Sequence, residues 1–411
     1  MKNIIKYIFL FILIVIFVYA FSSSYKSQTI DNLAYVIAIG VDNADNNKIK
    51  VSFQFIENSV FSDSGSSDSS STIIDTVEAS SIDTAINLLN TYIGKEINLA
   101  HCKVVVFSET VATNGLSDHV YRLINNSQLR PTTNIIVSRC DAKYYIENST
   151  SKYEKVITKY YDIFPKSADY TGYTANVTIG DFFNKLNNND SNPVAILGGV
   201  NTKTTESAPQ EDTSSQNEDF NILANESSIT GDRGTENIGL AIFKKDKLVG
   251  ELSAIETLCH SLITGKTNSF LISIPNPENT EQNIDISVSD IKDENVDIDI
   301  SNGSPYVYLN LKLDARILSI ENNKNYLESN YLNMVSENAS KYLEERITEY
   351  LYKTSTELNS CVDNFYPHVI GKFLTFEDWK AYNWTSNYQN CFFDVDVNIN
   401  IVSSLLLTEN N

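Results

Sequence analysis

The chain has 411 residues, 42% of them hydrophobic and 20% charged, which is enough apolar material to bury a core and a length that suits two or three domains. Its 31 Lys and Arg face 52 Asp and Glu, for a formal net charge of -21, and that field repels phosphate backbones and anionic headgroups, so nucleic acid is set aside as a partner. Five cysteines are too few for a disulfide scaffold in a chain this long, and their odd number leaves at least one thiol without an intramolecular partner.

At the N-terminus, Lys2 and Lys6 precede an uncharged run from Tyr7 to Phe21 whose large apolar side chains include Tyr7, Phe9, Leu13, Phe17 and Phe21. A spanning helix needs about 20 apolar residues, and this run approaches that length only when Ile4 and Ile5 are counted and Lys6 snorkels. Val18-Tyr19-Ala20 also suits a small-residue cleavage site, so membrane anchor and cleaved signal both stay open. Either reading exports the remainder, with the lysines left inside. No cysteine precedes Cys102, which excludes lipid attachment at a processed N-terminal cysteine.

From Ile30 to Val41 the chain is nearly all apolar, Asp42 to Asn47 has turn chemistry, and Lys48 to Ile56 alternates, which predicts a hairpin entering a sheet. Asn58 to Ser71 is rich in Ser, Asp and Gly without periodicity and reads as a loop. Ser80 or Ser81 caps a helix in which Ile82, Ala85, Ile86, Leu89 and Ile93 share one face, with Gly94 as its stop. Ile97 to Phe107 reads as one buried strand, Glu109 to Asn126 as a helix, Asn134 to Arg139 as extended, and Ala142 to Asn148 as a helix. Strands and helices mixed in this way point to an α/β or α+β class.

Asn201 to Arg233 is polar, with many acids against only Lys203 before the closing Arg233, and composes a flexible linker that cannot bury enough to order itself. Beyond it, Ile238 to Phe243 and Leu248 to Glu251 flank a turn at Lys244 to Lys247, and Ser253 caps a helix through Ile263 that ends at Gly265. Strand patterns follow at Phe270 to Ile274, Ile284 to Ile291, Val296 to Ile300 and Tyr306 to Ile320, several alternating as in a sheet with one wet face. One long helix carries Leu327, Tyr331, Val335, Tyr342, Leu343, Ile347, Tyr350 and Leu351 in a stripe, and Cys391 to Val402 returns as a closing strand. The expected plan is multidomain, with mixed sheets packed with helices. It comprises a signal or anchor with a short tether (1–27), an N-terminal mixed region (28–200), the acidic linker (201–235), a C-terminal α/β domain holding the long helix (236–405) and a tail (406–411).

No catalytic, cofactor or metal site emerges. His101, His119, His260 and His368 lie far apart, each without a ligand-spaced partner, and read as structural. His101 and Cys102 adjoin in a strand, where neighbours point to opposite faces, so they make no nucleophilic dyad. The cysteines read as small core hydrophobes, with a Cys361 to Cys391 disulfide left open. Asp297-Ile-Asp299-Ile-Ser301-Asn302-Gly303 resembles the start of a calcium loop, but its glycine comes one position late and Tyr308 stands where the bidentate Glu belongs. Phosphate loops, nucleophile elbows and His-Glu-x-x-His helices are absent from the sequence.

Three segments carry a family resemblance: Ile30-Asp-Asn-Leu-Ala-Tyr-Val-Ile-Ala-Ile-Gly-Val-Asp42, Asn98-Leu-Ala-His-Cys-Lys-Val-Val-Val-Phe107 and Gly239-Leu-Ala-Ile-Phe-Lys-Lys-Asp-Lys-Leu-Val-Gly250, with Trp379 and Trp384 resembling a closing segment. Together they resemble the spore germination Ger(x)C family. The resemblance implies the non-enzymatic C subunit of a nutrient germinant receptor, partnered by A and B subunits at the spore inner membrane, with its C-terminal domains on the outer face. The family's lipobox cysteine is replaced here by Phe21-Ser22-Ser23-Ser24, so an uncleaved Tyr7 to Phe21 helix becomes the implied anchor. No ligand-binding residue is carried over. The alternatives are a solute-binding module that captures a germinant itself and a hydrolase acting on spore peptidoglycan.

Overall fold

In the computed structural model the described residues are 2–22, 32–56, 72–149, 157–201, 220–231, 234–301, 303–319 and 329–402. A first helix, α1 (Lys2–Ser22), precedes a mixed nine-stranded sheet. Along that sheet the order is β3 (Thr72–Ala79), β2 (Ile49–Ile56), β1 (Leu33–Asn43), β5 (Val104–Ser108), β6 (Asn134–Ser138), β7 (Val194–Val200), β8 (Thr235–Lys244), β9 (Lys247–Leu252), with short β4 (Glu96–Asn98) beside β1. β1, β5, β6 and β7 run parallel, and their residues are almost wholly buried, as parallel strands covered on both faces require.

Helices α2 (Ile82–Ile93), α3 (Glu109–Asn114), α4 (Ser117–Asn125), α5 (Ala142–Asn148), α6 (Ile157–Ile163), α7 (Ala168–Thr171) and α8 (Ile179–Leu186) make the crossovers of this sheet. α2 starts where the Ser81 hydroxyl accepts the Thr84 N–H at 3.2 Å and stops at Gly94, whose φ of 66° is left-handed. α5 is seated by β1. A side chain at Gly40 would come within 2.8 Å of Ile146 Cδ1, and the buried Asp42 carboxylate accepts the Ala142 and Lys143 N–H groups at 2.6 and 3.0 Å. The Gly-Val-Asp run thus closes helix onto strand, with the carboxylate satisfying two of the helix's four orphan donors.

The second sheet is β10 (Phe270–Asn276), β11 (Asn279–Asp299), β12 (Tyr306–Ser319) and β13 (Phe392–Ile401), with β13 parallel to β12 and the other pairs antiparallel. Helix α9 (Ala254–Ile263), entered through a Ser253–Glu256 capping box, joins the two sheets. Helix α10 (Ser329–Tyr352) lies on one face, where Tyr331, Val335, Ala339, Leu343, Ile347, Tyr350 and Leu351 bury against β10 and β13. It runs on into a π turn, Lys353–Glu357, followed by α11 (Tyr366–Ile370), α12 (Phe376–Tyr382) and α13 (Trp384–Asn387). Val307, Leu309, Leu311 and Leu313 of β12 are buried under this layer while Tyr306, Tyr308 and Lys312 face out, so the opposite face stays wet.

The architecture is the expected one, a mixed α and β protein of two helix-packed sheets with a long C-terminal helix, but several boundaries differ. Ile97 to Phe107 is two strands, because Leu99 to Lys103 turns: the Cys102 N–H bonds back to Leu99 O, and Lys103 N–H then rejoins Ile37 O. The helix expected over Glu109 to Asn126 breaks at Gly115, whose φ is 124° and where a side chain would meet Asp246 Oδ2 at 2.6 Å. Ile284 to Ile291 and Val296 to Ile300 form one 21-residue strand that passes over bulges instead of turning. β3, β7, α6 to α8 and α11 to α13 have no counterpart among the sequence expectations.

Of the linker expectation, residues 220–231 are docked: Ala254 and Ile255 N–H bond to Ile222 and Phe220 carbonyls, and Ala224 is fully buried. The Asn58 to Ser71 loop, residues 202–219, the tether beyond Ser22 and the tail lie outside the described residues. The hairpin β8–β9, expected to open a separate C-terminal unit, extends the first sheet by pairing β8 antiparallel to β7.

Gly239 is held at φ 93°, and a Cβ there would lie 2.3 Å from Leu252 O. Gly239→Ala is expected to lower unfolding free energy by about 2 kcal/mol or more in urea titration. Gly371→Ala, where nothing lies within 4 Å of the added carbon, should leave it within about 0.5 kcal/mol.

Candidate functional site

Where the β8–β9 hairpin meets the first sheet, a seam of buried polar contacts ties early and late parts of the chain together. The tight Lys245–Asp246 turn, with Lys245 at φ 58°, presses on the break between α3 and α4, where Leu116 N–H donates to Asp246 O at 2.9 Å. Asn192 clamps it from the other side, its side chain accepting Lys245 N–H at 2.9 Å while its own N–H donates to Cys361 O at 2.7 Å. Ser360 Oγ donates to Phe243 O at 2.6 Å, Lys185 Nζ to Val362 O at 2.8 Å and Trp379 Nε1 to Asp190 Oδ2 at 3.1 Å. Residues 360–363, which carry no sequence periodicity, are therefore held by α8, β8 and the segment before β7.

Behind this seam lies a buried triad. His260 of α9 sets Nδ1 at 2.8 Å from Asp363 Oδ1 and 3.1 Å from Tyr350 Oη, and Tyr350 donates to the same carboxylate oxygen at 2.5 Å. With Nδ1–H donating to Asp363, the neutral ring keeps its lone pair on Nε2. Both His260 Nε2 and Asp363 Oδ2 are buried without a hydrogen-bond partner among the described residues. Burial, with Lys185 and Lys266 adding repulsion, holds the His260 imidazolium below its usual pKa despite Asp363. Burial chiefly, then Lys266, pulls the Lys185 ammonium down to about 8. Burial raises the Tyr350 hydroxyl well above its ordinary value. His260 and Asp363 are 103 residues apart, and no local spacing in the sequence links them.

The arrangement has the form of a structural clasp: the side chains of His260 and Asp363 have no exposure to solvent. A surface hollow of about 680 Å³ is lined by Lys48, His119, Arg122 and Asp246 among others, but Lys48 is engaged with Glu78 and Arg122 with Asp83. No cluster of three or more metal-ligating side chains occurs among the described residues.

The residues singled out in the sequence stay apart. His101 packs edge-on to Tyr35, His119 sits beside Phe107, and His368 lies in α11. Cys102 is buried, its thiol donating to Val104 O and pushed up to about 12 by desolvation. All five cysteines are free thiols, so Cys361 and Cys391 are not joined, and Cys361 Sγ instead accepts Trp384 Nε1–H at 3.3 Å. Asp299 of the calcium-like run accepts Ser301 N–H and Oγ–H, both at 2.9 Å, and Asp297 pairs with Lys372 at 3.0 Å.

Of the residues expected to form an anchor, Tyr7, Phe9, Leu13 and Phe17 all lie on α1 and are 51–71% exposed, within a run from Ile4 to Phe17 that is exposed on every face of the helix. The Phe21 side chain lies outside the described residues. At 1.5 Å per residue the exposed run reaches about 21 Å, and among the described residues no helix is long and apolar enough to cross a membrane.

Two family models divide the chain at this seam: the spore germination protein N-terminal domain matches residues 26–198, and the spore germination B3/GerAC-like C-terminal domain matches residues 238–404. The chain belongs to the Ger(x)C spore germination family. A solved structure titled "Crystal Structure of the GerBC protein" is similar in fold, with a TM-score of 0.53 at 16% identity over 89% of this chain and 96% of that one. No curated relative matches the chain. In family terms, the seam joins the two matched regions: Lys185, Asp190 and Asn192 of the first bond to Val362, Trp379 and Cys361 of the second, with the clasp just behind them.

The clasp makes stability depend on pH. An unfolded histidine takes up its proton near 6.5, whereas folded His260 resists it, so its contribution is complete above 6.5 and is lost as pH falls below that value. Urea titrations from pH 7.5 to 5 should show a steeper loss of stability in the parent chain than in His260→Asn, and parallel slopes would refute the assignment.

Proposed function

We propose that this protein is the non-catalytic C subunit of a nutrient germinant receptor, tethered by α1 to the spore inner membrane and working by assembly with A and B subunits. The observation that carries this reading is the pair of family matches spanning both halves of one chain. The exposed, all-round apolar α1 supports tethering, because a helix without a polar face has no stable place in water. The folded body then sits on the outer face, with Lys2 and Lys6 retained inside. The seam supports a mechanical role, since a body sewn together across its two regions transmits a displacement of one to the other.

Spores lacking the gene should fail to release dipicolinic acid under a nutrient that triggers wild-type spores, while dodecylamine still triggers both. Normal release under every nutrient in a panel would count against the receptor role. Separately, deletion of residues 2–22 should move the protein from the membrane pellet to the supernatant.

A further inference from the structure

The wet face of the second sheet is polar along most of its length, with Asn310, Lys312, Asp314, Asn398 and Asn400 pointing out. At one end it changes character. Tyr306, Tyr308 and Phe392 are 38%, 43% and 54% exposed there, with ring centroids 4.8 Å apart for the two tyrosines and 6.1 Å for Tyr306 and Phe392, which stack. Strand register sets carboxylates among the rings. Tyr306 lies between Asp299 and Phe392, Tyr308 lies between Asp297 and Asp394, and Asp396 follows in the next row. A hollow of about 320 Å³ opens between Asp299, Ser304, Tyr306 and Phe392.

We propose that this aromatic, acid-flanked hollow is a docking site for a cationic segment of a partner protein, one that presents an Arg or Lys among apolar residues. Charge complementarity selects this occupant. A guanidinium or ammonium over the tyrosine rings gains a cation–π contact while meeting carboxylates on both sides, and apolar neighbours of the cation cover Phe392. The chain already shows the chemistry on the adjoining row, where Lys372 Nζ sits 3.0 Å from Asp297 Oδ1. Two of the carboxylates are held in the charged form: hydrogen bonds from Ser301 hold Asp299 below the usual range, and Lys372 does the same for Asp297. Two residues beyond Lys372, Leu374 is 99% exposed, and Phe376, the first residue of α12, is 61% exposed, so the entry to α12 carries apolar groups at the surface. An acidic chain also draws a basic segment from a distance, which favours encounter.

The proposal deepens the subunit reading, which supplies the partner, but the surface is tested on its own. Full-length protein in neutral detergent is titrated with a capped peptide of alternating Arg and Leu and with its Glu-Leu counterpart, by calorimetry at two salt concentrations. The Arg-Leu peptide should bind, less tightly at high salt, and Tyr306→Ala and Asp299→Asn should each weaken it about tenfold, or about 1.4 kcal/mol. Asp45→Asn, the same charge change on the β1–β2 turn, should alter affinity less than twofold. Equal loss from Asp45→Asn would reduce the effect to general attraction, and equal binding of the Glu-Leu peptide would overturn the charge argument. Binding of chitin oligosaccharides that Tyr306→Ala abolishes, without peptide binding, would make the face a glycan surface instead. Unchanged melting of each variant separates lost contact from lost fold. Failure here leaves the germination phenotype of the deletion, and the subunit reading with it, standing.

Discussion

Backbone hydrogen bonding between β7 and β8 is the constraint on which the rest of the molecule depends. Val194 with Ile242, Ala195 with Ala241 and Ile196 with Leu240 pair two strands that lie on opposite sides of the chain's most polar stretch. That pairing carries the β8–β9 hairpin onto the first sheet, brings its turn against Gly115 and Leu116, and fixes α9 at the junction. Once α9 is fixed, so is His260, and the second sheet with α10 follows from it. The first sheet therefore draws strands from both family regions, β1 to β7 from the first and the β8–β9 hairpin from the second.

The seam uses polar groups where a purely apolar join was available. Each of these bonds has a fixed direction and length, so together they define one relative placement of the segments, where apolar contacts alone tolerate sliding. The arrangement is costly: burying His260 and Asp363 with one unfilled bonding position each sets desolvation against specificity. Lys353 reinforces the same region, bridging both carboxylate oxygens of Glu256 and the Glu251 carbonyl.

Much of this was legible from local pattern. The cap at Ser81, the stop at Gly94, helix α5, the Lys245–Asp246 turn, the Ser253 cap and the stripe of α10 all follow from spacing and side-chain type within a few residues. The boundaries that moved did so for tertiary reasons. Val104 to Phe107 and Ile97 share one apolar character, and only the Lys103–Ile37 bond shows that a turn separates them. β7 is a short apolar run with two glycines, and it is a strand because β6 and β8 flank it. The clasp was invisible for the same reason, since its members come from distant elements and each alone looks like an ordinary core residue. The exposed aromatics at Tyr306, Tyr308 and Phe392 fit the alternation of their strands, and nothing in sequence marks that alternation as running aromatic on the wet side.

The antiparallel completion of β7 also governs how the chain emerges during synthesis. N-terminal segments appear first, so for a time β7 is the edge of a seven-stranded sheet still missing two strands, presenting uncharged Val194 to Val200 and an open row of donors and acceptors. Such an edge is a template for pairing with another chain. Until residues beyond Thr235 arrive to cap it, the nascent protein is at its most adhesive, and the polar stretch before β8 sets how long that interval lasts.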